Sequence, residues 1–387
     1  MNQLMNKAQL YMGLMSGTSA DGIDLALVDF ATNTPKLIAS YYQAYNQDIH
    51  QKITSLYNPD INELDRAFKL DAELAHLFAQ TIKQFLQQQQ LQPSNIIAIG
   101  NHGQTIRHRP NQPHAFTLQI GCCQTLACLT NIKVIGQFRQ KDMALGGQGA
   151  PLVPAFHQMV FNDNDDDVFV VNIGGIANIS YLPSLNAIKQ GKTLIGYDCG
   201  TGNALMDDWF VLNKAEHHST KHYDENGYWA ASGQAELKLL TLLLNDKYFS
   251  LPAPKSTGRE YFNPTWLQQH LANPSIKTLN LSPADIQATL LKFTAITIAN
   301  EIKSLSNSAK VYLCGGGVHN KTLKNELNQQ LTNYEVCLTN HKDIDSDSVE
   351  AMAFAWLAYA YNKKIFSNSP AVTGASKKTT LGCAFYP

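Results

Sequence analysis

The chain reads as an α/β protein built from two lobes of duplicated architecture. Three observations predict this. Its 387 residues are more than one hydrophobic core usually organises, and suggest about two domains. Strand-like runs alternate with helix-like runs along the chain, which points to the α/β class. A strand, a glycine-rich turn and a second strand open the chain at 10–30, and the same pattern recurs at 168–180.

Each element follows from local pattern. Residues 10–15 and 23–30 read as strands, the second alternating through Ile23, Leu25 and Leu27. Residues 62–90 read as a helix with Leu64, Phe68, Ala75, Phe78, Ile82 and Phe85 on one face and the glutamine run 87–90 as its solvated end. A short buried strand at 96–99 delivers the polar cluster from Asn101 to Arg107. Glycine and proline punctuate 138–154, which predicts a loop carrying Arg139, Asp142 and the run from Gly146 to Gly149. The acidic run 163–167 reads as a solvated connection; it lacks the central glycine and terminal glutamate of a calcium-binding hand. A strand at 194–197 ends at Asp198, followed by Cys199-Gly200-Thr201-Gly202 and a helix from about Asn203. Helices at 284–305 and 320–331 flank a strand at 311–313 and three glycines, Gly315, Gly316 and Gly317. The last helix, 348–361, is almost wholly apolar and should be buried.

Composition removes several classes of function. A net charge of −1 gives no general attraction to nucleic acid or an anionic membrane surface. No apolar run approaches the roughly 20 residues that span a bilayer, and the first ten residues do not read as an export signal. Seven scattered cysteines form no disulfide framework, which fits a reducing cytoplasm. His217, His218 and His222 have no cysteine or carboxylate beside them and read as a surface loop rather than a metal site.

The glycine-rich turns carry the chemistry. The first, from Ser16 through Gly17, Thr18, Ser19, Ala20, Asp21, Gly22 and Ile23 to Asp24, holds more hydrogen-bonding groups than a bend needs. Glycine lets backbone N–H groups approach a phosphate, and hydroxyls add donors without bulk, so this stretch can wrap a triphosphate tail. Gly174 and Gly175 can serve the same end. Gly315, Gly316 and Gly317 precede a helix whose N-terminus favours an anion. The common nucleotide motifs, Gly-x-x-x-x-Gly-Lys-Ser/Thr and Gly-x-Gly-x-x-Gly, are absent, so a nucleotide would be held by another fold.

Taken together, these segments resemble the two-lobed, ribonuclease H-like ATPase fold of sugar kinases, actin and the heat-shock ATPases. More narrowly, the chain resembles the anhydro-N-acetylmuramic acid kinases. The matching runs are GLMSGTSADGID (13–24), NHGQTIRHRP (101–110), GGQGAPLVPAFH (146–157), VNIGGIANIS (171–180), YDCGTGNALMD (197–207), STGREYFNP (256–264), CGGGVHN (314–320) and EAMAFAWLA (350–358). The resemblance implies an actin-like first lobe over 1–135 and 368–387, a second over 136–367, and an active site in the cleft between them. It implies a cytoplasmic kinase of cell-wall recycling that uses ATP, Mg²⁺ and water. Such an enzyme opens the 1,6-anhydro ring and phosphorylates O6, giving N-acetylmuramic acid 6-phosphate and ADP. The family is typically dimeric.

Residue by residue, Asp198 matches the base that activates water, its bland alternative being a cap for the following turn. Gly17 to Asp24 matches the ATP loop, with Asp21 or Asp24 near Mg²⁺ through water. Arg139 is the first candidate for the sugar's lactyl carboxylate and Arg107 the second, since guanidinium forks match carboxylates. Ser16, His102 and Glu350 complete the substrate set. His102 also suits a structural role, and Glu350 also suits the N-terminal dipole of its helix. Two departures stand out: Gln137-Phe138-Arg139 where the family usually has Asp-Phe-Arg, and Cys199-Gly200-Thr201 where it usually has Thr-Gly-Pro. The competing readings are a kinase of another amino sugar and a non-catalytic actin-like nucleotide switch.

Overall fold

The computed structural model describes residues 8–32 and 34–387. The N-terminal stretch read as lacking an export signal lies, through residue 7, outside the described residues. In chain order the strands are β1 (Leu10–Ser16), β2 (Gly22–Asp29), β3 (Lys36–Ala44), β4 (Ala98–Arg109), β5 (Phe116–Ile120), β6 (Val134–Gly136), β7 (Val168–Ile173), β8 (Ile176–Leu182), β9 (Ile195–Thr201), β10 (Lys310–Cys314), β11 (Glu335–Leu338) and β12 (Cys383–Phe385).

They form two sheets, one in each of two compact units: Met1–Val160 with Asp343–Pro387, and Phe161–Lys342. The first sheet runs β12-β6-β4-β1-β2-β3, with β5 paired to β4; the second runs β11-β10-β7-β8-β9. In each, an antiparallel meander of three strands is extended from its first strand by two parallel ones: β1 pairs antiparallel with β2 and parallel with β4, while β7 pairs antiparallel with β8 and parallel with β10. The same order in both units establishes the duplication and the ribonuclease H-like, actin-type fold.

Both sheets are covered by helices. In the first unit Gly13 and Gly100 let the helix Val349–Lys363 lie directly on β1 and β4; a Cβ at either would land on a helix carbonyl oxygen, Ala351 or Phe354. The opposite face is covered by Glu63–Gln88, through Ala67, Leu70, Leu74, Phe78, Ile82 and Phe85. Leu64 and Phe68, expected on that face, are 69% and 67% exposed. At 3.6 residues per turn Phe68 lies roughly 80° round the helix from Phe78, and Leu64 precedes the buried stripe. In the second unit the core centres on the helix Pro283–Leu305, started by a capping box between Ser282 and Asp285.

Several boundaries differ from the sequence reading. The expected lobes divided near 135 and 367, whereas the compact units divide after residues 160 and 342. The helix Phe138–Ala144 follows β6 directly and its Phe138 meets Phe354, so this stretch and the apolar C-terminal helix both pack with the first sheet. That helix also replaces the first half of the loop expected at 138–154. The polar cluster after residue 99 continues β4 rather than leaving it, because β5 pairs with its second half. Asp198 lies inside β9, not at its end. The acidic run is not merely solvated: Asp163 and Asp166 hold Lys310 at 2.7 and 2.9 Å, and Asp167 accepts from Tyr181, Ser184 and Ser306.

Candidate functional site

In the first unit the glycine-rich turn between β1 and β2 has its carbonyls directed into protein. The Gly17 oxygen accepts from Ala20 N and Gln104 Nε2, Thr18 from Tyr57, Asp21 from Tyr45 N and Tyr42, and Gly22 from Ser16 Oγ; His50 Nδ1 bonds the Ala20 oxygen at 2.9 Å. Ser16 is fully buried and also meets Gln104 Oε1 at 2.5 Å and Tyr45 OH at 2.8 Å. With these carbonyls engaged, N–H and hydroxyl groups of the turn remain as donors, the polarity a phosphate needs, beside the Asp21 carboxylate. Gly17 has only Ser19 Oγ near where a Cβ would stand, at 3.6 Å, so intramolecular packing does not require glycine there. Gly22 differs, because a Cβ would strike Gln43 O. Ala20 and Ile23 are buried in the core, so their side chains are not available to a ligand.

Asp24 lies in β2 among other acids. Burial first, then the charges of Glu350, Asp347 and Asp21, raise its pKa to about 7. Among the described residues no three His, Cys, Asp or Glu side chains converge to hold a metal ion. A divalent cation held through water would relieve the crowding of negative charge.

His102 and Arg139 form a second group in the same unit. Arg139 Nη2 donates to His102 Nε2 at 2.9 Å, Arg139 Nη1 donates to Gly149 O at 2.8 Å, and His102 Nδ1 donates to Ser16 O at 3.2 Å. Arg139 Nε is buried and without a partner, a donor still to be used. Burial lowers the arginine's pKa to about 10, against the opposing charges of Glu350 and Asp142. Burial and Arg139 hold the histidine down at about 3. Asp142, wholly buried, accepts from Gly149 N, Asn368 Nδ2 and Thr373 Oγ1 and so fixes the backbone on which Arg139 leans. Arg107 is committed elsewhere: it pairs with Glu63 and donates to Tyr57 O. Glu350 sits in the first turn of its helix, within electrostatic reach of both Asp24 and Arg139.

In the second unit Asp198 faces Asn178 across a bulge that leaves Cys199 unpaired between Asp198 and Gly200. Its Oδ2 accepts from Ser256 Oγ and Thr257 N, each at 3.0 Å. Its Oδ1 has no hydrogen-bond partner among the described residues. Burial raises the pKa to about 6; the Thr257 and Ser256 bonds pull it down, and Glu260 pushes it up. Gly174 and Gly175 turn β7 into β8, and their carbonyls accept from Gly202, Asn203 and Ala204 at the start of the helix Ala204–Leu212. Neither meets an atom within 3.5 Å of a notional Cβ, and Gly316 meets only Asn203 Nδ2 at 4.0 Å. Gly315 adopts φ +81°, and Gly317 is required by contact with Ile173. Open space above Gly174, Gly175 and Gly316 is a cradle that side chains would fill, and it fits a bound nucleotide. His217 stacks on Phe210 at 3.7 Å and is a packing residue.

A model of the family described as anhydro-N-acetylmuramic acid kinase matches residues 9–387. The chain belongs to that family. The anhydro-N-acetylmuramic acid kinase of Colwellia psychrerythraea is 55% identical over 400 residues, covering 100% of this chain and 99% of the relative. That of Shewanella denitrificans is 46% identical and that of Haemophilus influenzae 44%, each covering 98% of both chains. Of the two departures from the usual pattern of anhydro-N-acetylmuramic acid kinases, Gln137 caps the helix of Arg139 in a left-handed conformation, φ +54°. Cys199 is the bulged residue and is buried. Sequence reasoning missed Gln104, Tyr45, Tyr57, Ser256 and Thr257, and named Asp142 only as a loop residue. Ser256 and Thr257 lie in a run that matches the kinases, STGREYFNP, and so carried a signal; the tyrosines look like ordinary strand and loop residues.

Proposed function

We infer that this chain is an ATP-dependent anhydro-N-acetylmuramic acid kinase of cell-wall recycling, with Asp198 as its base. Full-length membership of the family supports the activity. The observation that supports the mechanism is Asp198 itself, a buried carboxylate with one oxygen clamped by two donors and the other unpartnered. With a pKa of about 6 it is ionised near neutrality yet basic enough to accept a proton.

In the proposed reaction Asp198 Oδ1 takes a proton from water as the water oxygen attacks the anomeric carbon, as in an inverting glycosidase. The C1–O6 bond breaks, and its electron pair stays on O6. O6 then takes the γ-phosphoryl group of ATP, ADP leaves, and Asp198 returns its proton to solvent. Phosphoryl transfer needs chiefly positioning and neutralisation of charge. The donors of 16–24 and the glycines at 174, 175 and 315–317 serve the phosphates; Arg139 Nε and its guanidinium serve the lactyl carboxylate, with His102 holding them. Mg²⁺, when bound, neutralises charge on the transferring phosphate, and Asp21 and Asp24 would hold it through water. Among the described residues no helix is long and apolar enough to cross a membrane, and the cytoplasm is the proposed location.

The test is ADP release from ATP and Mg²⁺ with and without anhydro-N-acetylmuramic acid, alongside Asp198→Asn. Sugar-dependent release lost by ~10³-fold or more in the variant is expected. ADP release by folded protein that ignores the sugar would sink the kinase reading in favour of a nucleotide switch. Turnover of another amino sugar in preference would transfer the reading to that substrate.

A further inference from the structure

Behind Asp198 lies a buried ion pair that none of the roles above uses. Lys255 Nζ meets Glu301 Oε1 at 2.7 Å, with side chains only 4% and 14% exposed. The other oxygen of Glu301 accepts from Tyr197 OH at 2.8 Å, and Tyr197 precedes Asp198. The Lys255 carbonyl accepts from Asp198 N at 3.1 Å. Lys255 Nζ also lies 5.0 Å from the centre of the Tyr248 ring, and Tyr248 OH donates to Asp198 O at 2.7 Å. Two closed loops of contacts thus run from Asp198 out to Lys255 and back, one through Glu301 and Tyr197, the other through Tyr248. The two residues after Lys255 are Ser256 and Thr257, the donors on the Asp198 carboxylate.

We propose that Lys255, paired with Glu301, is a positioning residue that holds the Ser256–Thr257 clamp on Asp198. The proposal rests on Asp198 as the base. A buried pair costs desolvation and is weak evidence for stability, so its place around this carboxylate asks for another account. Two donors held on Oδ2 favour the charged form and leave Oδ1 directed at the reacting water. The titratable and charged groups around Asp198 are Lys255, Glu301, Glu260, Tyr197, Tyr248 and Cys199. Only the first two change in the test.

Breaking the pair on one side threatens folding, so the deciding variant is Lys255→Met with Glu301→Met, an apolar exchange of the kind that folded proteins tolerate. Folding is checked by thermal unfolding. A clamp displaced by about an ångström should lower kcat by ~10–100-fold, while KM for ATP stays within about threefold, a split that reports lost transition-state interaction. The acidic limb of the kcat/KM profile should move up by roughly half to one pH unit, because the donors that favour ionised Asp198 are loosened. Lys255→Arg, which keeps a cation opposite Glu301, should hold kcat within about threefold of the parent. A folded double variant with the parent's kcat and acidic limb overturns the proposal. Asp198→Asn that retains activity overturns the base reading, and this proposal with it. An inactive Asp198→Asn beside an unaltered double variant overturns the positioning role alone.

Discussion

Arg139 Nη2 donates to His102 Nε2 at 2.9 Å, and this contact decides what the histidine can be. A carbonyl oxygen only accepts, so the bond to Ser16 O assigns the proton to Nδ1 and leaves Nε2 as a bare acceptor. The ring is neutral and unsuited to proton transfer, with both nitrogens spent on protein. With both nitrogens engaged, His102 is a strut between the Ser16 carbonyl and the arginine, and we propose that it supports Arg139 rather than binding the sugar itself.

The arginine's geometry leads to a prediction. Lysine cannot reproduce a fork that serves His102, Gly149 O and a carboxylate together. Arg139→Lys should raise KM for the sugar by ~10–100-fold, equivalent to about 1.4–2.7 kcal/mol, with KM for ATP changed by less than about threefold. Steady-state kinetics in both substrates checks this; an equal rise in both KM values would mean that the residue supports the fold instead.

Asp198 predicts the pH dependence of turnover. Its pKa is raised to about 6, first by burial. The base must be ionised, so kcat/KM should fall tenfold per pH unit below about 6 and level off above it. A profile from pH 4.5 to 8.5 reads this directly. A limb near 4 would show that the free enzyme's base is an ordinary solvated carboxylate.

Asp24 predicts a pH dependence of stability with its own sign. Its folded pKa of about 7 lies above the ordinary 3.8, so the folded state holds the proton more tightly. That stability is present below about pH 4 and is lost as pH rises through 7. Asp24→Asn should thus be more stable than the parent by on the order of 2–4 kcal/mol at pH 8, with the gap shrinking toward pH 4. His102 works the other way: held down at about 3 against an ordinary 6.5, its contribution is present above 6.5 and lost as pH falls toward 3. Urea unfolding of parent and variant at pH 5 and pH 8 separates them, because the histidine cancels in the difference.

Much of this arrangement was legible in the sequence. The twin strand–turn–strand patterns gave the duplication because period-two alternation and glycine turns are local signals. The glycine clusters and Asp198 were legible because they set unusual residue types in short windows. What stayed hidden depends on contacts across the chain. The sequence could not show that Arg107 is claimed by Glu63, 44 residues away, or that Asp142 anchors Gly149. It could not separate buried from exposed positions at the start of the 63–88 helix, since Leu64 and Phe68 look as apolar as Phe78. Nor could it place the boundary between units, because the apolar C-terminal helix belongs to the first sheet only through Gly13 and Gly100, whose contacts lie more than 250 residues off.

Two glycines four residues apart provide the sharpest contrast between fold and ligand. At Gly13 a methyl group would strike the Ala351 carbonyl and the helix backbone around it, neither of which can move without lifting the helix from the sheet. Gly13→Ala should cost roughly 3 kcal/mol or more, in the range of severe overpacking, and should lower Tm without selectively raising any KM. At Gly17 the same methyl group meets nothing closer than 3.6 Å and the backbone is not in the left-handed region, so the apo fold should be unaffected to within about 0.5 kcal/mol. The space it fills is where a phosphate would approach the donors of the turn. Gly17→Ala should therefore raise KM for ATP by ~10-fold or more, about 1.4 kcal/mol, while KM for the sugar and the Tm of the apo protein stay near those of the parent. Thermal unfolding with and without ADP checks both: Gly17→Ala should match the parent without nucleotide and show a smaller nucleotide-induced shift. A normal shift with ADP in Gly17→Ala would remove the turn from the nucleotide site, whatever the kinetics of the other variants.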